Sequence, residues 1–338
     1  MNIYNGAFMA SIRNNNLPMV VHFLKDKRVD PRAEDSNSLI TALLFGHTDI
    51  VNVLLKDGRA DPCAKDSKSL KTAVYDGNLD GVIALLKDGR ADPKAGDSYS
   101  IQVASRCGWF DIVELLLQDG RAATSAQDNS AIRMASHGGH FKIVSMLLKE
   151  KSVDPTAGDS YALRHAAADG ELETVELLLK DGRSDPFDRE SYALRKASLS
   201  GHFETVKLLL KDRRADPRAM NSEALRTASD YGHQSIVRLL LEDGRADPRA
   251  EESFALRTAS KHDYMTIVKM LLEDGRADPR ADESFALRIS SKRNYLNIVK
   301  LLLKDGRVEP CAKDNELLKV AMRDNDLIVI KIIRDHIR

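Results

Sequence analysis

The sequence predicts an all-α fold, a solenoid of stacked antiparallel helix pairs, and three observations carry that prediction. A proline preceded by an acidic residue recurs every 31 residues, at Pro31, Pro62, Pro93, Pro155, Pro186, Pro217, Pro248, Pro279 and Pro310, with Thr124 in the one vacant place. Such a period marks units that cannot bury their apolar faces alone and must stack. Between the prolines the apolar residues are spaced as on helices, and no insertion disturbs the phase over 338 residues. One domain of eleven units is therefore expected, near 1–31, 32–62, 63–93, 94–124, 125–155, 156–186, 187–217, 218–248, 249–279, 280–310 and 311–338, the first and last acting as caps.

Residues 159 to 186 show how one unit is assembled. Ser160 sits in a phase held by Ser or Asn from Asn5 and Ser36 to Ser284 and Asn315, which suits the N-cap of a first helix. Leu163 and Ala166 follow on one face, the small residue allowing close approach of a neighbour. Gly170 ends the helix, and its phase reads Asn15, Gly46, Gly77, Gly108, Gly139, Gly201, Gly232, Asp263, Asn294 and Asn325. These residues tolerate positive φ, so a left-handed stop is expected. The second helix carries Val175, Leu178 and Leu179 at i, i+3 and i+4, repeated as Val51/Leu54/Leu55, Val206/Leu209/Leu210 and Val299/Leu302/Leu303, and makes the main buried stripe. Gly182 and the Asp-Pro beyond it prevent resumption. Each helix is too short to be stable alone, so stability must come from stacking.

Bulk composition excludes several function classes. Lys plus Arg and Asp plus Glu both total 51, so no global field draws the chain to nucleic acid or an anionic membrane. No apolar run approaches a membrane span and no charged-then-hydrophobic leader opens the chain. Cys63 and Cys311 share a phase at about 80 Å separation, far beyond disulfide reach; with Cys107 the count is odd and no glycosylation sequon occurs. A monomer in a reducing, intracellular and cytoplasmic setting is expected.

The units resemble ankyrin repeats. The likeness rests on Leu-x-x-Ala-x-x-x-Gly-His at Leu39 to His47 and Leu194 to His202, on the following Val-x-x-Leu-Leu, and on the Gly-x-Ala-Asp linker at Gly58 to Asp61. It covers essentially the whole chain. It implies an ankyrin-type stack with partners bound along the linker fingers and the inner, first helices. Two departures matter. The usual Thr-Pro-Leu-His opening is replaced by Tyr161 to Arg164, Tyr192 to Arg195 and Phe254 to Arg257, so the preceding Ser is expected to cap; and three residues are missing before Leu163, so shortened linkers should replace full β-hairpin fingers. The 31-residue unit is similar to arrays of giant DNA viruses, which would place the chain in a host cytoplasm.

Three rows of side chains are candidates for function, each weighed against a packing role. Arg59, Arg90, Arg121, Arg183, Arg245, Arg276 and Arg307 recur in the linkers and Arg133, Arg164, Arg195, Arg226, Arg257 and Arg288 on the first helix. An anion ladder is conceivable, but the recurrence of Asp61, Asp92, Asp185 and Asp247 favours internal Arg–carboxylate and Arg–backbone bonds. Tyr99, Tyr161, Tyr192, Phe254 and Phe285 are regular from unit to unit, which favours sealing of the shortened linkers over partner recognition. The phases that vary lie near the end of the first helix and the following turn. Tyr75, Arg106, Trp109, Tyr231, Lys261, His262, Tyr264, Lys292, Arg293, Tyr295 and Arg323 are therefore the candidate partner-binding residues, densest in the last third, where a basic patch suits an acidic protein.

Catalysis, metal and cofactor find no support. Cys107, His137 and His140 lack a fourth ligand and zinc-type spacing, and no phosphate loop, nucleophile elbow or His-Glu-x-x-His occurs. Ala123 and Thr124, with Lys151 and Ser152, break the linker pattern and should loosen the stack locally, while the run of Ile328, Ile330, Ile332 and Ile333 with Arg334 suits a terminal cap. The sequence thus points to a non-catalytic protein–protein interaction scaffold. The alternatives are an adaptor recruiting a target to a ubiquitin ligase or signalling complex, and, from another class, an enzyme, which would need a convergent cleft the pattern does not supply.

Overall fold

The computed structural model describes residues 3–308 and 327–337, with side chains to residue 332. The chain forms two compact units, Met1–Ala162 and Leu163–Arg338. The first holds α1 (Ile3–Arg13), α2 (Leu17–Leu24), α3 (Ala33–Leu44), α4 (Thr48–Asp57), α5 (Ala64–Tyr75), α6 (Leu79–Asp88), α7 (Ala95–Cys107), α8 (Phe110–Asp119), α9 (Ala126–His137) and α10 (Phe141–Leu147). The unit boundary falls inside α11 (Ala157–Asp169). The second unit continues with α12 (Leu172–Asp181), α13 (Asp188–Ser200), α14 (Phe203–Asp212), α15 (Ala219–Asp230), α16 (Gln234–Asp243), α17 (Ala250–Lys261), α18 (Met265–Asp274), α19 (Ala281–Lys292), α20 (Leu296–Asp305) and α21 (Leu327–Ile337).

In each unit a first helix packs on its own second helix and on the next first helix, as α5 does on α6 and α7 and α15 on α16 and α17; second helices likewise meet second helices. No strand occurs among the described residues, so the linkers are short turns without hairpins, as expected. The expected stripes are the core: Leu39, Ala42, Val51 and Leu54 in the first unit, and Leu225, Ala228, Val237 and Leu240 in the second, are all fully buried. Each such leucine contributes about 1.5–3 kcal/mol. The left-handed stop is also realised, from Asn15 at φ 52° and Gly77 at 66° to Asp263 at 61° and Asn294 at 60°.

The serine phase does something other than cap a helix. The right-handed part of α3 begins after Ser36, as expected, but a turn precedes it in which Glu34, Asp35 and Ser36 all sit in left-handed conformation, with φ of 54–61°. The same three-residue turn recurs at Lys65 to Ser67, Met220 to Ser222 and Glu251 to Ser253. The buried hydroxyl then faces the next linker instead of its own helix: Ser36 Oγ accepts from Asp61 N, Ser67 from Asp92 N, Ser222 from Asp247 N and Ser253 from Asp278 N, each at 2.8 Å. Asn129 Oδ1 does the same for Asp154 N. The residue is fixed by a tie between successive repeats, which needs an acceptor just as an N-cap does.

The irregular stretch near residue 124 is closed in a different way. Ala123 N keeps its bond to Ser98 Oγ at 2.8 Å, and Thr124 Oγ1 meets Ser152 Oγ at 2.6 Å. Helix α10 ends at Leu147, however, earlier in its repeat than α8 or α16, and Lys151 stands in the place where those repeats have a glycine. In the last unit α21 buries Val329 and Ile330 and exposes Leu327 and Ile328, whereas the side chains of Ile333 and Arg334 lie outside the described residues.

Candidate partner-binding surface

The linker arginines are structural clamps. Arg59 forks Nε and Nη2 onto Asp57 at 2.8 and 3.0 Å and donates to the carbonyls of Val29 and Leu24 in the preceding repeat. Arg245 repeats this on Asp243 and on Ala215 and Leu210, and Arg276 on Asp274 and Ala246. The guanidinium thus caps the carboxyl end of the previous second helix while paired with its own, a use its planar fork suits. The pairing raises the guanidinium pKa of Arg245 and Arg276, the side-chain hydrogen bond being the main cause. The carboxylate is Asp57 or its equivalent, two residues before the arginine; Asp61, expected as the partner, instead accepts from Cys63 N. Arg214, missed because Arg213 takes the left-handed glycine place at φ 68°, makes the same clamp on Asp212. The fixed Asp-x-Arg spacing was the available signal.

The first-helix arginines and the aromatic row also belong to the frame. Arg226 donates to the carbonyls of Asn221 and Met220 in its own left-handed turn, and its guanidinium lies 5.5 Å from the Phe254 ring of the next repeat. Arg133 holds the Asp128 carbonyl and stacks on Tyr161 at 4.6 Å. The turn ring of the second helix closes a further gap. His140, His202 and His233 bond the carbonyls of Arg106, Ala168 and Leu199 in the preceding repeat at 2.9–3.1 Å. Trp109 takes that place in its own repeat, and a Cβ at Gly77 would come within 2.9 Å of its ring. Trp109 is therefore half packed on the turn and 40% exposed.

What the frame leaves open is the end of each first helix. In the first unit Leu44, Phe45 and Tyr75 are exposed, Tyr75 by 59%, and Arg106 is exposed too; Phe45 stacks on His47 at 5.8 Å. In the second unit Tyr231 is 60% exposed and stacks on His233. Lys261, His262, Lys292 and Arg293 follow on successive turns, all exposed, with Tyr264 and Tyr295 half-buried below them. His262 stacks on Tyr264 at 5.7 Å and sits 3.4 Å from Asp230, and Arg293 Nη1 donates to the Lys261 carbonyl at 2.9 Å. The ammonium groups of Lys261 and Lys292 have no ion-pair partner among the described residues. Arg323 lies outside the described residues. The two units thus differ in emphasis at one phase: Leu44, Phe45 and Tyr75 stand out beside a single Arg106 in the first, whereas Lys261, Lys292 and Arg293 follow Tyr231 in the second.

No group of three or more His, Cys, Asp or Glu side chains placed to hold a metal occurs among the described residues, and Cys107 is an exposed free thiol. No helix among the described residues is long and apolar enough to cross a membrane. A search of curated proteins returned no match. The family model described as ankyrin repeats (3 copies) matches residues 70–159 and 163–252, and the single ankyrin repeat matches residues 37–67. Ankyrin repeats are in general protein–protein interaction modules. With the left-handed stops, the paired helices and these matches over more than half its length, the chain belongs to the ankyrin repeat family.

Proposed function

We propose that the protein is a non-catalytic scaffold that binds a protein partner across the exposed ends of its first helices, the inner or concave side of an ankyrin stack, with an acidic partner on the second unit. The supporting observation is a contrast in use. Side chains that recur in every repeat are engaged in clamps, ties and stacks, whereas Tyr75, Arg106, Tyr231, Lys261, Lys292 and Arg293 vary from repeat to repeat and project into solvent. A frame held by inter-repeat bonds fixes these side chains before encounter, so little ordering entropy opposes association. Lys261, Lys292 and Arg293 supply charge for steering, and Tyr231, Tyr264 and Tyr295 supply amphipathic contact area.

A photo-crosslinking residue placed at Tyr231 or Lys292 tests this. Both positions should trap one partner in lysate, and the outward Lys269 on the second helix should trap none. Equal yields at all three positions would defeat the assignment of face.

A further inference from the structure

At five junctions between repeats the chain lays one of its own aromatic rings beside a cation 28 residues earlier: Tyr99 by Lys71, Tyr161 by Arg133, Tyr192 by Arg164, Phe254 by Arg226 and Phe285 by Arg257, at 4.6–5.8 Å. At the first junction the same two places hold Met9 and Asn37. Both line a cavity of about 210 Å³ whose walls include the buried Phe8 and Pro31 and whose exposed side carries Asp30 and Glu34. A dry apolar cavity of roughly 150 Å³ is already large enough to take benzene. Lys68, Ser130 and Glu223 also stand where those five junctions carry a ring, but it is the junction of Met9 and Asn37 that leaves this cavity.

We propose that this cavity is a socket for one aromatic side chain of a partner protein, presented next to a basic residue. The ring is indicated by what fills the equivalent place at five other junctions, Tyr99, Tyr161, Tyr192, Phe254 and Phe285. The Met9 thioether offers it a polarizable contact in place of the guanidinium, which suits a ring arriving from outside. The basic neighbour follows from the rim: Asp30 is partly compensated by Arg32 at 3.4 Å, and Glu34 has no ion-pair partner among the described residues. Buried aromatic anchors of this kind dominate interface energetics. The socket lies in the first unit, so it stands or falls independently of the basic surface of the second.

The test is a titration read at the Met9 methyl by 13C NMR, its signal assigned with Met9→Leu. The probes are the blocked dipeptides Ac-Lys-Tyr-NH2, Ac-Glu-Tyr-NH2 and Ac-Lys-Ala-NH2. The Lys-Tyr probe should shift the methyl saturably, about threefold more tightly than Glu-Tyr given the modest value of an exposed ion pair, and Lys-Ala should leave it unmoved. Asn37→Tyr installs the array's own ring; it should abolish the shift and raise Tm by roughly 2 °C or more. Asn37→Leu, a smaller plug, should weaken binding as well and covers the case in which the tyrosine variant fails to fold. A methyl unmoved by Lys-Tyr, equal binding by both plugged variants and the parent, or equal response to Lys-Ala would overturn the proposal. So would a shift on raising protein concentration alone, which would assign the socket to self-association.

Discussion

The left-handed turns of the first three linkers and those of the second unit are braced at different carbonyls. Three consecutive residues at positive φ are disfavoured by roughly 1–2 kcal/mol each when they carry side chains, and the turn leaves carbonyls without helical partners. In the first unit Ser38 and Ser69 hydroxyls donate to the Pro31 and Pro62 carbonyls at 2.8 Å, and Gln102 Nε2 donates to Asp97 O at 2.6 Å. In the second unit the serine places hold Ala193, Ala224, Ala255 and Ala286. There Arg195 donates to Glu190 O and Arg189 O, and Arg257 to Glu251 O. The change begins at Arg133. The serines thus hold the proline carbonyl that precedes the turn, while Gln102 and the arginines hold carbonyls within it; the clamp and the serine tie are common to both units.

The largest expected effect tests what the units share. Arg59→Ala and Arg245→Ala each remove a bidentate ion pair and bonds to two carbonyls of the preceding repeat. Each should cost about 2–3 kcal/mol in urea unfolding, with lysine recovering less than half because it lacks the fork. A large loss in one unit and none in the other would break the equivalence.

Next, Ser67→Ala and Ser222→Ala strip the acceptor from the amides of Asp92 and Asp247. Losses of about 1–2 kcal/mol are expected in both, visible as faster amide exchange at those two linkers. Unchanged exchange would remove the serine tie from the account. A smaller effect sharpens the contrast: Arg226→Ala should cost about 1 kcal/mol, against about 0.5 kcal/mol for Lys71→Ala, whose ammonium meets the exposed Asp66 and the Tyr99 ring but no turn carbonyl. In the opposite direction, Lys151→Gly supplies the missing stop while leaving the Thr124–Ser152 bond in place, and should add about 0.5–1 kcal/mol, read as slower exchange over residues 141–153.

Acid should have the least effect until low pH. Side-chain hydrogen bonds from Arg121 and Arg183 hold the Asp119 and Asp181 carboxyls below their ordinary value, and Arg28 lowers Asp26 to about 2. A carboxyl with a depressed folded pKa contributes stability that is fully present above its unfolded pKa, near 3.9, and lost as pH falls through the folded value. The clamp contribution should therefore be constant from about pH 7 to 5 and decline below about pH 4, and Asp119→Asn should remove part of that decline. A decline centred above pH 5 would contradict this.

Much of this was legible because the repeat compares the sequence with itself. Phase-locked Gly, Asn and Asp revealed the left-handed stops, and the periodic Val-x-x-Leu-Leu revealed the buried face. The regularity of the aromatic row separated packing from recognition. What stayed hidden was direction. A recurring serine says that an acceptor is needed, but both a helix start and a linker amide 25 residues away meet that description. Likewise an Asp on either side of Arg59 is a plausible partner until the turn places Asp57 beside the guanidinium and leaves Asp61 to cap Cys63 N. The cavity at Met9 and Asn37 was readable only as two missing members of two rows.

The most direct test of the account is a triple charge reversal, Lys261→Glu/Lys292→Glu/Arg293→Glu, assayed for partner capture from lysate and for urea unfolding. Lys261 and Lys292 carry none of the clamp or tie bonds and Arg293 gives up only its exposed bond to the Lys261 carbonyl, so unfolding should change by no more than about 1 kcal/mol while the captured partner is lost. Equal recovery of the partner by the variant and the parent would contradict the account.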